Sequence, residues 1–255
     1  MAIYATGTTG YIGSKLKNSI PIEVCLTEQN SFPKTTISPN STVIHLAAIV
    51  GTQKVLQDYF WARKINVEST LSYAEYLRDQ TDARFIFVSS SHVYRDSNSR
   101  LTENSPVAPK SLYAKMKLET EEGLIQIYKN APERLLVARV FSVLGRDMPK
   151  ETLGWAIEKA SANSPVKYSD DHRDFSTANE IAELLEQAAE ADWLSTVLNI
   201  CSGTCRSVRD AGKALRRELA LSDDDGIFLP GNSDVPRTCG DNSLLKKTLL
   251  SRNES

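Results

Sequence analysis

The segment T-G-T-T-G-Y-I-G, directly behind the apolar run Ala2–Thr6, constrains the fold of this chain more than any other. Gly7, Gly10 and Gly13 recur there at intervals of three. In a strand–turn–helix unit such glycines allow a tight turn and bring backbone close to a pyrophosphate, while N–H groups at the helix start face the phosphates. Three glycines occur in many turns, so it is their place between a strand pattern and a helix pattern that points to a dinucleotide. The spacing predicts a strand over 2–6 and a helix over 11–19. Gly7, Gly10, Tyr11, Ile12 and Gly13 then form the cofactor-binding turn.

Further apolar strands are predicted over 22–26, 42–46, 84–89, 135–141 and 197–201. A long helical tract over 52–80 and a helix carrying Tyr113 lie between them. Short strands apolar on both faces and separated by helices indicate an α/β fold: a Rossmann-type doubly wound parallel sheet with a small C-terminal substrate-binding region. Thr177 with Glu180, and Ser207 with Asp210, read as capping boxes opening two later helices. The expected division is 1–144 and 175–201 for the dinucleotide-binding domain, and 145–174 and 202–255 for the substrate-binding region.

A net charge of −2 supplies no field to attract nucleic acid or an anionic membrane. No apolar run approaches the length needed to span a bilayer, and a strand pattern at once at the start leaves no room for a signal peptide. Cytoplasmic location is expected. Cys25, Cys201, Cys205 and Cys239 are scattered, and no His lies near the Cys201–Cys205 pair. No metal site is expected, and the cysteines read as reduced thiols, Cys25 as a small core residue.

Tyr113 and Lys117 stand four apart, on one face of a helix. A phenol titrates near ~10 and is a poor base at neutral pH unless a neighbouring cation stabilises its anion, which Lys117 is placed to do. Ser89, Ser90 and Ser91 end a predicted strand, where open α/β sheets meet their ligands. At the end of the second strand Glu28 stands where an acidic side chain bonds a ribose 2′-OH and repels a 2′-phosphate, which tilts the cofactor from NADP(H) toward NAD(H). A solvated loop glutamate is the competing reading. The stretch 29–40 is short and interrupted by proline for a crossover helix.

With these motifs in order, the chain resembles the extended short-chain dehydrogenase/reductase family of nucleotide-sugar epimerases, dehydratases and reductases. The resemblance runs through H-L-A-A (His45 to Ala48), I-N-V-E-S-T around Asn66, F-V-S-S-S-H-V-Y, Y-A-K-M-K, R-V-F-S-V-L-G from Arg139, H-R-D-F around Arg173, L-N-I-C-S-G and V-P-R-T-C-G-D around Arg237. It implies Ser90, Tyr113 and Lys117 as catalytic residues, with Leu46, Ala47, Ala48, Asn66 and Lys117 beside the cofactor. Asn66 takes the helix-bending, proton-relay position. The resemblance further implies that Ser91, His92, Ser142, Arg173 and Arg237 contact a nucleotide-diphosphate sugar, the arginines gripping its diphosphate. It also implies a homodimer through the paired helices.

The departures bear on the reaction. Dehydratases of the family carry an Asp-Glu pair where this chain has Ser91 and His92, so water elimination lacks its acid and base. Epimerising members of the fucose-synthase-like branch carry Cys at the His92 position; an imidazole can do that work, or simply line the pocket. Ser142 replaces the usual Asn. The short stretch between Gly145 and Arg173 matches compact 4-keto-sugar reductases. Three readings follow: a reductase of a nucleotide-linked 4-keto-6-deoxy sugar, a C4 epimerase with tightly bound NAD, and a non-catalytic dinucleotide sensor.

Overall fold

The computed structural model describes residues 1–22, 36–150, 152–161, 163–168, 172–230 and 238–250. Its first strand, β1 (Ile3–Thr6), is buried throughout. The chain then makes a single 3-10 turn, Gly13–Lys15, in place of the helix expected over 11–19. The cause is tertiary. Glu186 Oε1 accepts from the backbone N–H groups of Lys17 (2.7 Å) and Asn18 (2.6 Å), and β2 (Ser19–Pro21) pairs with β1 at once. The second strand thus precedes the expected 22–26 stretch. Cys25 and Glu28 lie outside the described residues.

After the buried β3 (Thr42–His45) the expected long helix is divided into α1 (Thr52–Gln57), α2 (Tyr59–Arg63), a π-helical segment Lys64–Ser69 and α3 (Thr70–Gln80). Asp58 leaves helical geometry at the first break, and its carboxylate caps α2 by accepting from Trp61 N at 2.9 Å. The π segment contains Asn66, and such a bulge bends a helix. Next come β4 (Arg84–Ser90), α4 (Leu112–Ile127), β5 (Leu135–Val140), β6 (Ser142–Val143), α5 (Leu153–Lys159), β7 (Val166–Tyr168) and β8 (His172–Ser176). The chain continues through α6 (Ala178–Glu190), β9 (Val197–Ile200), β10 (Cys205–Ser207), α7 (Val208–Glu218), β11 (Phe228–Pro230) and α8 (Ser243–Leu250). Thr177 and Glu180 form the expected reciprocal cap of α6, and Ser207 accepts from Asp210 N at 3.0 Å to open α7.

The main sheet has the order β2-β1-β3-β4-β5-β9, and every pairing in it is parallel. Alternate strand residues supply two core layers. Ile44, Ile86, Leu136 and Leu198 meet Ile181 and Leu185 of α6, whereas Val43, Phe85, Phe87 and Val137 meet Tyr73, Leu77 and Leu124 of α3 and α4. Strand order reverses at β1, with β2 on one side and β3 on the other, so a crevice opens at the carboxyl ends of β1 and β3. Gly7 sits at that opening.

A second core, with Ile157, Phe175, Val208, Leu215 and Phe228, belongs to the three-stranded sheet β10-β8-β6 and the pair β11-β7 with α5 and α7. Here the structure corrects the expectation of reduced thiols: Cys205 and Cys239 form a disulfide, with Cα atoms 5.4 Å apart. β8 brings them together. Its Asp174 is the register partner of Cys205, and its Arg173 bridges to Thr238 beside Cys239. A separation of 34 residues hides that neighbourhood from the sequence. Cys201 is free and buried. Among the described residues no helix is long and apolar enough to cross a membrane, and no group of three His, Cys, Asp or Glu is placed to hold a metal ion.

Candidate active site

β4 ends in extended backbone at Ser90, whose hydroxyl accepts from His92 N at 3.2 Å as a 3-10 turn begins. Opposite stands the start of α4, capped by Ser111, which accepts from Ala114 N at 3.1 Å and sets the first turn that carries Tyr113. One turn on, Lys117 is buried. Its Nζ donates to the Val88 carbonyl at 2.8 Å, lies 4.5 Å from the centroid of the Phe87 ring and 5.8 Å from that of Tyr113. Burial pushes the Lys117 ammonium down to about 8, with the nearby Glu121 carboxylate opposing. Burial alone raises the Tyr113 phenol above its ordinary value. The lowering expected from the neighbouring lysine does not accompany it, and Tyr113 stands as a proton donor.

Ser90, Tyr113 and Lys117 line one cavity of about 290 Å³ together with the glycine-rich turn. Gly7, Gly10, Tyr11, Ile12 and Gly13 line it, as do Leu46 and Ala48. The turn needs its glycines. Gly7 has φ +70°, and a Cβ there would stand 2.6 Å from Ala47 N; a Cβ on Gly13 would collide with the Gly7 carbonyl. Ala47 therefore serves as backbone packed against Gly7. Asn66 does not line this cavity: its Oδ1 accepts from Ile49 N (2.7 Å) and its Nδ2 donates to Ile49 O (2.8 Å), pinning the segment after β3.

The residues present fit a dinucleotide. A backbone cradle that side chains would fill lines the cavity together with a hydroxyl, a phenol and an ammonium. With one 3-10 turn in place of a helix, the amides offered at the cradle are local ones, without an extended helix dipole behind them.

A second cavity of about 480 Å³ shares Ser90, Phe141, Val143 and Met148 with the first and adds Ser91, His92, Ser142 and Arg173. The substrate-side residues expected from sequence, where described, are thus brought together; Arg237 lies outside the described residues. The His92 imidazole is held below its usual range, first by desolvation and then by Arg173. Sequence reasoning missed Lys54 and Lys150, which also line this cavity. Single lysines in a helix and a loop carry no pattern that would flag them. No acidic residue is among the described residues lining either cavity. The cleft is cationic in a chain of net charge −2.

The model of a family described as "NAD dependent epimerase/dehydratase family" matches residues 15–201. The "Uncharacterized UDP-glucose epimerase YtcB" of Bacillus subtilis (strain 168) is 30% identical over 105 residues, 40% of this chain and 33% of that protein. "UDP-glucose 4-epimerase 2" of Oryza sativa subsp. japonica is 30% identical over 105 residues, which are 40% of this chain and 26% of the relative. The matched stretch thus spans a third or less of the curated relatives. Among solved structures, RMD from Pseudomonas aeruginosa complexed with NADPH superposes with a TM-score of 0.81 at 20% identity, covering 98% of this chain and 93% of that one.

Proposed function

We propose, from the premise that this chain belongs to the NAD dependent epimerase/dehydratase family within the extended short-chain dehydrogenases/reductases, that it reduces the ketone of a nucleotide-linked 4-keto-6-deoxy sugar. The observation that carries this reading is the single cavity in which the glycine-rich turn meets Ser90, Tyr113 and Lys117. When bound, NAD(P)H supplies the hydride. Tyr113 gives its proton to the alkoxide oxygen that hydride addition creates, and Ser90 donates a hydrogen bond to the same oxygen. Lys117 stabilises the phenolate left on Tyr113. Arg173, with Lys54 and Lys150 on the same cleft, meets the diphosphate of the substrate. The substrate-binding region comprises 145–174 and 202–255 in this reading, and the location is cytoplasmic, although the disulfide removes the thiol argument for it.

Reduction is favoured over elimination because the described cleft residues include no carboxyl pair, and over a sensor because hydroxyl, phenol and ammonium are all retained. A second reading, C4 epimerisation with retained NAD, is supported by the epimerase names of the curated relatives. The two differ in cofactor handling. Purified protein carrying tightly bound oxidised NAD, and returning to the same absorbance after turnover, indicates an epimerase. Consumption of exchangeable reduced cofactor with a nucleotide 4-keto sugar indicates the reductase.

A further inference from the structure

Beneath Lys117, one helical turn further along α4, the Glu121 side chain is 2% exposed and faces the Arg139 guanidinium, 8% exposed, from β5. Arg139 Nη2 donates to Glu121 Oε2 at 2.6 Å, and its Nε lies 3.2 Å from both carboxylate oxygens. Ser89, the residue before Ser90, donates its hydroxyl to Glu121 Oε1. Arg139 also stacks at 4.7 Å from the centroid of the Tyr94 ring, and the Tyr94 hydroxyl donates to Asn199 Oδ1 at 2.7 Å. One carboxylate therefore joins α4, the end of β4 and β5 directly behind the site.

A buried ion pair is weak evidence for stability, because desolvation offsets the attraction. An apolar pair could hold α4 on the sheet. What apolar residues could not supply is a negative charge beside a buried ammonium.

We propose that Glu121 is a positioning residue for the Tyr113–Lys117 pair: its carboxylate, gripped by Ser89 and Arg139, fixes α4 against the end of β4 and keeps Lys117 in the ammonium form. The inference rests on the reading of Tyr113 and Lys117 given above. The groups around Lys117 leave the task to Glu121. Tyr113 is neutral, and the Val88 carbonyl and Phe87 ring that β4 presents carry no charge. His45 on β3 is buried, neutral and held near about 3. The π-helical segment contributes the uncharged Asn66 against Met116. Arg139 on β5 pairs with Glu121, and of the two it is the carboxylate that acts on Lys117.

The test is the titration of Lys117, followed from pH 6 to 10 by the rate of reductive dimethylation with formaldehyde and dimethylamine–borane, read on the Lys117 peptide by mass spectrometry. In wild type the midpoint is expected near the about 8 that burial and Glu121 together impose. Glu121→Gln keeps one acceptor oxygen for Arg139 and can donate its amide N–H to the Ser89 hydroxyl, but loses the charge, and its midpoint is expected to fall by about one unit or more. Ser89→Ala loses a hydrogen bond but keeps the charge, so its midpoint stays. Should Glu121→Gln fail to fold with its arginine unpaired, the double variant Glu121→Gln/Arg139→Gln replaces the pair by a neutral one, and a smaller fall in the same direction is expected, because a positive charge leaves with the negative one. An unmoved midpoint in a folded variant overturns the proposal, leaving the pair a structural tie. Turnover of Tyr113→Phe separates the two questions. If that variant keeps full turnover the functional reading fails, whatever Lys117 does; if it is inactive and the midpoint is unmoved, only the Glu121 proposal fails.

Discussion

Tyr11 donates its phenolic hydrogen to the carbonyl of Arg146 at 2.7 Å, so the glycine-rich turn and the segment after β6 share a hydrogen bond beside the cofactor cavity. The two residues are 135 positions apart, and Tyr11 itself lines the cavity. Tyr11→Phe keeps the ring and removes the tie. A net hydrogen bond contributes about 0.5–1.5 kcal/mol, so dissociation of NADH should speed up roughly 2- to 10-fold, with little change in melting temperature. Stopped-flow displacement of NADH checks this; an unchanged rate would show that the tie does not gate the cavity.

Arg173 lines the cationic cleft beside His92 and Ser142. A charge-assisted contact to a diphosphate contributes about 1.5–3 kcal/mol, so Arg173→Ala should raise KM roughly 10- to 150-fold with a smaller effect on kcat. The control is the free keto sugar without its nucleotide. Equal use of both forms by wild type, or no loss in the variant, would remove the nucleotide-sugar reading.

His45 gives a stability prediction with a definite sign. Its ring is buried between Thr6 Oγ1 (2.9 Å from Nδ1) and Thr70 Oγ1 (3.1 Å from Nε2), and desolvation first, then Lys117, lowers its pKa to about 3. The unfolded chain binds this proton below pH 6.5 and the folded chain does not until about 3, so stability is full above 6.5 and is lost as pH falls through that window. Between pH 7 and pH 5 this group should cost about 2 kcal/mol. Urea titrations of wild type and His45→Gln at the two pH values should differ by that amount, wild type losing more. Equal losses would mean that His45 is protonated in the folded protein.

The helices test association. Of the apolar residues on the paired helices, Val55 and Leu124 are buried within their own chain, which favours simple packing there. Leu56, Tyr59, Phe60 and Ile125 are exposed, Phe60 at 83%. We propose that these cover one another across a two-fold axis. Light scattering at micromolar concentration should return twice the chain mass for wild type and the chain mass for Phe60→Asp. A monomeric wild type contradicts the proposal.

Much of this molecule is written in local pattern. The glycine turn, the Tyr113–Lys117 spacing and the Thr177–Glu180 cap each depend on residues within one turn or one strand end, and each stands where the pattern put it. What failed to show was long-range. The helix after Gly13 is pre-empted by Glu186, on a helix far along the chain. The Cys205–Cys239 bond depends on β8 as the intervening partner. Glu121 is a partial exception: its place four residues after Lys117 was visible, but its partner Arg139 lies on another strand, and only the fold makes the pair.

The most direct measurement is nicotinamide absorbance at 340 nm during reaction with a nucleotide-linked 4-keto-6-deoxy sugar, for wild type and Tyr113→Phe. The account predicts one reduced cofactor consumed per sugar reduced, and turnover lowered about 10²-fold or more in the variant with NADH affinity little changed. Near-normal turnover without the Tyr113 hydroxyl would contradict it, as would sugar reduction by wild type with no loss of absorbance.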